Sequence, residues 1–313
     1  ILHYIFERHF SGGHESLEDL KKDTDDLIKK YADENMGGFG SLSGKEKYRL
    51  RRMSESAQIL IKHVDEELSQ SRFEACSFEM NVGGDGGIPA LIVKTPDGNT
   101  AYIGGTVDRV DMFEKNNQRY VRVVDYKTGI HDFKLTDVLH GLSMQMLVYL
   151  AAIISGKRNI KAAGVLYTPL AVKSLNVERD ESEDKIKSER DKTLKMNGIV
   201  LNDAEIIEAM EASAKGKYIP VSINNKGEVK GSAVGDDGMD TILSYSVRLI
   251  ATMADELYKG DIEAVPTKQK DNVCTYCPYM PVCGHEYEDV SASKDIKGDA
   301  EVLESMKGTV YGR

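Results

Sequence analysis

The chain has 313 residues, 41% of them hydrophobic, which is enough to bury a core as one large domain or two modest ones. Its formal net charge of -10 and pI near 5.3 lack the overall basic footprint of many nucleic-acid binders; this is neutral to slightly adverse for DNA and leaves room for a local basic groove. No apolar run approaches the roughly 20 residues that a membrane span needs, and residues 1–10, with both charge signs, do not read as a signal peptide.

A chain opening on Ile1-Leu2-His3 without a methionine is expected to be a fragment of a longer one. Residues 1–10 place Leu2, Ile5, Phe6 and Phe10 on one helical face. His3 lies beside that stripe and, taken alone, reads as a core or boundary histidine. Residues 14–35 carry a sparse helical stripe of Leu17, Leu20, Leu27 and Tyr31. Ser43 with Glu46 three residues later forms a capping-box signature, opening a helix that runs to about Leu68 with Leu60, Ile61 and Val64 facing inward.

From Arg72 the apolar period changes to two, predicting strands over 73–80, 88–94, 102–112 and 121–127, with turns at 83–87 and 96–99. Glu79 could face a metal site, but the favoured reading is a solvated strand-end glutamate. The last two strands flank a polar turn at 115–119 and form a β-hairpin. Asp108 stands in the middle of one, and the other ends in Asp125-Tyr126-Lys127. A half-apolar strand has no packing reason to hold an aspartate at its centre, and an unpaired buried carboxylate is costly. Two such aspartates beside a lysine suggest a shared cation of the Mg²⁺ or Mn²⁺ type; the plainer reading is a surface hairpin with ordinary salt bridges.

Thr136 opens an amphipathic helix with Leu139, Leu142, Met146, Leu147, Leu150 and Ile153 on its apolar face, ending at Gly156. Gln145 and Tyr149, four apart, lie one above the other on it; alone they read as a surface pair. Lys161 to Pro169 returns as a strand, so strand, helix and strand predict a crossover in a mixed sheet. Residues 171–197 mix both charges densely and read as a solvated, mobile insertion without a site. A short helix from Ala204 to Ala214, a strand and turn within 217–234, and a long helix from Met239 to Tyr258 follow.

Of the four cysteines, Cys76 stands alone and reads as a packed thiol, while Cys274, Cys277 and Cys283 form a tight Cys-x₂-Cys-x₅-Cys group. Such a group suggests a metal or iron–sulfur site in a reducing, cytoplasmic compartment rather than disulfides. With His285 added, the same residues are also compatible on paper with a zinc-binding interaction domain.

Gly105-Thr106-Val107-Asp108, then Asp125-Tyr126-Lys127-Thr128-Gly129, then Gln145-x₃-Tyr149, together resemble the RecB-like branch of the PD-(D/E)XK nucleases. The cysteine group downstream, with Gly141-Leu142 before Gln145 and Ala163 to Tyr167 beyond it, is similar to the AddB/RexB subunits of bacterial helicase–nucleases. The resemblance runs from His3 to Cys283. It implies an α/β, mixed-sheet, restriction-endonuclease-like core with helices on both faces and a helical N-terminal part. Residues 1–313 are then one nuclease domain: N-terminal helices at 1–70, catalytic core at 71–170, insertion at 171–197, further helices and a strand at 198–270, and a cysteine staple at 271–290.

The resemblance also implies roles. His3, Asp108, Asp125 and the Tyr126 carbonyl hold Mg²⁺ or Mn²⁺. Lys127 orients or deprotonates the attacking water, or stabilises transition-state charge. Gln145 and Tyr149 hold the DNA backbone or fix Lys127, and Arg109 either contacts phosphate or pairs with Asp111 or Glu114. Cys274, Cys277 and Cys283 belong to a four-cysteine [4Fe–4S] staple. Its first cysteine lies upstream of the histidine helix in that family, so the cluster is an expectation for the intact protein rather than for this fragment alone. DNA, an AddA-type partner subunit and a missing N-terminal region are the implied partners, in double-strand break processing. A non-catalytic DNA-end-binding module is the alternative, disfavoured by the intact Asp–Asp–Lys set.

Overall fold

The computed structural model describes the chain except residues 12–18, 85–86, 130–131, 156, 173–180, 262–266, 269–273, 275–276, 284–290, 293–297 and 313. Three helices come first: α1 (Leu2–Ser11), α2 (Leu20–Asn35) and α3 (Gly44–Gln70). The capping box forms as the sequence predicts, with Ser43 accepting from the Glu46 amide and Glu46 accepting from Ser43.

β1 (Glu74–Val82), β2 (Leu91–Lys94), β3 (Thr100–Ile103), β4 (Gly105–Lys115) and β5 (Gln118–Lys127) follow, then α4 (Leu135–Leu139), α5 (Gln145–Ile154) and β6 (Ile160–Pro169). The rest comprises α6 (Glu183–Leu194), β7 (Asn197–Leu201), α7 (Ala204–Met210), β8 (Val221–Ile223), β9 (Val229–Gly231), β10 (Ala233–Val234), α8 (Asp236–Lys259), β11 (Thr267–Lys268), α9 (Met280–Cys283), β12 (Ser291–Ala292) and α10 (Asp299–Tyr311). The main sheet has the order β1-β4-β5-β6-β7-β10. It is mixed: β5 and β6 run parallel, as do β7 and β10, whereas β1–β4, β4–β5 and β6–β7 are antiparallel.

The crossover from β5 to β6 through α4 and α5 is the one read from the sequence. β5 and β6 are buried over nearly their whole length rather than at alternate positions, the pattern of strands covered on both faces. α5 packs on β4, β5 and β6 and against α8, while α1 packs on β1, α6 on β6 and α7 on β7.

Three expectations change. The strand over 102–112 is broken at Gly104, where a Cβ would lie 2.6 Å from the Val82 carbonyl oxygen; β3 pairs with β2 in a separate hairpin while β4 joins the main sheet. The helix over 136–156 is two helices, because Gly141 and Ser143 take positive φ (80° and 52°). A side chain at Gly141 would also collide with Met253 of α8, 2.6 Å away. The break makes Gln145 the first residue of α5.

The charged segment 171–197 contains an ordered helix, α6, capped by Ser182 and docked on α3 through Lys187–Glu66 (2.8 Å); Lys217 adds a pair with Asp191 of α6 (3.3 Å). Beyond α6, β7 supplies a strand of the main sheet. No helix among the described residues is long and apolar enough to cross a membrane.

Candidate active site

The β4–β5 hairpin closes on Asn116 and Asn117, both at positive φ, the geometry of a two-residue turn that matches strand twist. Antiparallel pairing aligns Arg109 with Val124. One step further along, residue 108 stands across from residue 125. Asp108 accepts from the Tyr126 amide at 2.7 Å, tying the two aspartate-bearing strands together.

α1 brings His3 to this point, with its Nδ1 3.5 Å from Asp108 Oδ2 and 3.7 Å from Glu79 Oε1. His3 Nδ1 or Nε2 and carboxylate oxygens of Glu79 and Asp108 all lie within 4.8 Å of one another, the one group of metal-ligand type that close together among the described residues. The Asp108 carboxylate beside it raises the His3 pKa, burial opposes this, and the Glu79 and Asp125 charges add to the rise. Glu79, solvated by the sequence reading, instead faces His3. That approach has no signal in the sequence beyond the carboxylate itself.

Asp125 is buried, and Lys127 Nζ lies 2.6 Å from its Oδ2. Burial pushes the Asp125 carboxyl up, against the pull of Lys127; the Asp108 charge pushes it further. The lysine ammonium also stands 6.0 Å over the ring of Tyr167, the register partner of Asp125 on β6. Burial and the Asp125 charge hold the Tyr167 phenol far above its ordinary range. The Tyr126 ring is buried under Phe6 of α1, with its hydroxyl accepting from Arg109 Nη1 at 3.3 Å, and burial raises its pKa to about 12.

Gln145 is exposed at the start of α5, whereas Tyr149 one turn on is buried. The Tyr149 hydroxyl lies against Gly105 at the head of β4: a Cβ there would overlap Oη and stand 2.6 Å from Cζ. Gly105→Ala is therefore expected to destabilise the protein by about 1–3 kcal/mol through overpacking, read as a lower urea midpoint. An unchanged midpoint would contradict this contact.

The structure overturns the reading of Arg109 as a phosphate contact. Its side chain is fully buried, with Nη2 2.9 Å from Glu67 Oε2 and 3.0 Å from Asp111 Oδ2, so it cannot reach a bound strand; the pairing with Asp111 is the half of the expectation that holds. Cys76 is exposed rather than packed. Cys277 and Cys283 are exposed, Cys274 is partly buried, and no three cysteine sulfurs come together as ligands among the described residues. His285 lies outside the described residues, and with it the zinc reading.

A mixed sheet with a parallel crossover, an Asp-x-Lys strand end and an aspartate on the adjoining strand agree with what comparison of the sequence finds. Residues 1–284 match the model of the PD-(D/E)XK nuclease superfamily, and the chain belongs to that family.

Among curated proteins it is similar to the B-type subunit of the ATP-dependent helicase/deoxyribonuclease of Ruminiclostridium cellulolyticum, 33% identical over 297 residues, which covers 91% of this chain and 25% of that protein. The protein of the same description from Clostridium novyi is 31% identical over 291 residues, covering 88% of this chain and 26% of its own. That from Clostridium tetani is 28% identical over 324 residues, covering 96% and 28%. The chain thus spans about a quarter of the length of these relatives.

Proposed function

We propose that this chain is the nuclease part of a DNA helicase–nuclease subunit and hydrolyses phosphodiester bonds with a divalent cation, Mg²⁺ or Mn²⁺. One observation carries the reading: residues as far apart in sequence as His3, Asp108, Asp125 and Lys127 converge at one end of the β4–β5 hairpin. The donor types fit such a cation: His3 and Asp108, with Glu79, bring one imidazole nitrogen and two carboxylate oxygens within 4.8 Å of one another, and the strand of Asp125 is tied to Asp108 through the Tyr126 amide. His3, Asp108, Asp125 and the Tyr126 carbonyl would hold it. When bound, a divalent cation lowers the pKa of water and acts as a Lewis acid toward a phosphoryl oxygen.

The chain's own residues supply the rest. Lys127 carries a proton at Nζ beside Asp125, and this ammonium orients the attacking water or donates to a phosphoryl oxygen as negative charge builds there. Asp125, buried, stays fixed relative to it. Gln145, exposed at the start of α5, contacts the DNA backbone, and Tyr149 sets the position of the strand that leads to Asp108 by packing on Gly105.

The relatives' description supports the wider setting: a subunit of an ATP-dependent enzyme, which we extend to an AddA-type partner, cytoplasmic double-strand break processing and a longer chain. The iron–sulfur staple stays outside the mechanism. No step depends on Cys274, Cys277 or Cys283, which are close in sequence but do not bring three sulfurs together among the described residues.

Linear single-stranded DNA incubated with the protein and Mg²⁺ tests the reading. The wild type is expected to degrade it, while Asp125→Ala binds DNA without cutting. Equal cleavage by both would overturn the assignment, and a wild type that binds DNA ends yet cuts none under any divalent metal would favour an end-binding module.

A further inference from the structure

We infer that the free edge of β2 is a docking site for an extended peptide: a strand of another polypeptide, apolar at alternate positions and basic at one end. Such a site lies outside the nuclease chemistry proposed above and does not depend on it.

β2 pairs on one side only, with β3. At their turn the Thr95 amide donates to the Asn99 carbonyl, so 95–99 and, by alternation, 93–101 and 91–103 are the hydrogen-bonded pairs of the ladder. The N–H and C=O groups of Ile92 and Lys94 therefore point away from β3, and they have no backbone partner among the described residues. Proline, bulges and charges are the usual guards of such an edge. Leu91–Lys94 has no proline and no register shift. The Lys94 ammonium donates to Thr100 Oγ1 at 2.6 Å, which draws it over β3 and off the open side.

Beside that edge runs a groove of about 880 Å³, lined by Ile154 of α5, Leu243, Val247 and Ala251 of α8, and Tyr311 of α10. α8 passes beneath the hairpin: Asp255 accepts from the Asp97 amide at the turn (3.0 Å), and the Tyr258 hydroxyl donates to the Thr100 carbonyl on the outer edge of β3 (2.9 Å). The earlier turns of α8 are thereby left alongside β2. On the outward face the register partners Ile92 and Tyr102 stay 59% and 71% exposed, so apolar surface reaches the edge from both sides.

These groups define the occupant. Backbone donors and acceptors in a row are satisfied by another extended peptide backbone, and the groove takes every second side chain. Asp240 lines the groove near the start of α8, close to Asp236 and Asp237. It has no ion pair among the described residues, while Lys161 is bonded to Asp236 at 3.2 Å. Burial and the Asp236 charge push the Asp240 carboxyl up. This end of the groove fits a lysine or arginine and repels a phosphate backbone.

The probe is a fluorescein-labelled peptide, one lysine followed by three valine–threonine pairs, added to the full chain and followed by anisotropy and by amide exchange in NMR. Saturable binding is expected. Exchange at Ile92 and Lys94 should slow on binding, whereas Leu91 and Val93 are already slow in the free protein. Two further peptides are N-methylated, one at its valines and one at its threonines. One of them should bind about tenfold or more weakly, having lost its hydrogen bonds to β2, and the other about as well as the parent.

Lys94→Pro removes a donor from the free edge, where proline is tolerated, and should weaken binding to a similar extent. Lys94→Thr keeps the amide and should bind like wild type. Asp240→Asn should weaken this peptide but not one that has threonine in place of its lysine. No saturable binding, equal weakening by both methylated peptides, or unchanged exchange at Ile92 and Lys94 would overturn the inference. A wild type that sediments as a dimer and becomes monomeric in Lys94→Pro would also overturn it, placing a second copy of the chain on the edge.

Discussion

Glu67→Ala is expected to destabilise the protein by about 3–5 kcal/mol, the range for removing one partner from a buried ion pair. Glu67 lies on α3 and is fully buried, as are Arg109 and Asp111 of β4 and Arg122 of β5. Its two oxygens divide between the arginines, Oε2 to Arg109 at 2.9 Å and Oε1 to Arg122 at 2.5 Å, while Asp111 Oδ2 takes Arg122 Nε at 2.8 Å. Two positive and two negative charges thus cancel in a space closed to water.

Removing Glu67 leaves two guanidinium groups against one carboxylate. Arg109 Nε and Arg122 Nη1 already donate to nothing among the described residues, and the single unpaired acceptor there, Asp111 Oδ1, cannot replace both oxygens of Glu67. The cost reaches the active site as well, because Arg109 also donates to Tyr126, which lies between Asp125 and Lys127. Urea unfolding measures the effect, and a loss under about 1 kcal/mol would place the quartet among weak surface pairs.

The same quartet sets a direction for acid sensitivity. Burial pushes the Glu67 carboxyl up, but Arg122 and Arg109 together outweigh it, so its folded pKa is held below the ordinary value. A depressed carboxylate contributes stability that is fully present above its unfolded pKa of about 4.3 and is lost as pH falls through the folded value. Glu67 therefore favours folding at neutral pH and contributes to unfolding in acid. In Glu67→Gln the acid limb of the stability curve should flatten.

The second large effect is on chemistry. Lys127→Met is expected to slow DNA cleavage by about 10²–10³-fold, the cost of removing one transition-state donor, with DNA binding nearly unchanged. Methionine keeps much of the packing over Tyr167 and removes only the ammonium. It also leaves Asp125 buried without its 2.6 Å counter-charge, which moves the carboxyl further up. Single-turnover cleavage at saturating protein isolates this step. A rate within tenfold of wild type would remove Lys127 from the chemistry.

Much of the core is legible in the sequence because its signals are local. Alternation around Asn116 and Asn117 marks the hairpin, Ser43 with Glu46 marks the start of α3, and the apolar run of Lys161–Pro169 marks β6. What escapes depends on partners distant in the chain. The apolar stripe runs straight through Gly141–Ser143, and nothing in it marks the positive φ at Gly141 and Ser143 that divides one helix into two. α6 has charges rather than an apolar face, and its partners sit on α3 and at Lys217.

The site divides along the same line. Asp108, Asp125 and Lys127 read as a set because they share one hairpin. His3 needs the family resemblance, since a histidine beside an apolar stripe carries no sign of what it faces. Arg109 is misplaced by the sequence because its partner Glu67 lies on a distant helix and no local signal pairs the two. The available hint is spacing: Glu67 follows Val64 by three residues and so shares its inward face, where it is fully buried.

The most direct measurement is a Mg²⁺ titration of DNA cleavage by chelator-stripped protein, run on wild type, His3→Ala, Asp108→Asn and Asp125→Asn at fixed pH. The account predicts no cleavage without a divalent ion, saturable recovery in wild type, and loss of that recovery at attainable Mg²⁺ in both aspartate variants, with His3→Ala shifted to higher concentrations. Cleavage by stripped wild-type protein in excess chelator, or wild-type recovery in Asp108→Asn and Asp125→Asn, would contradict it.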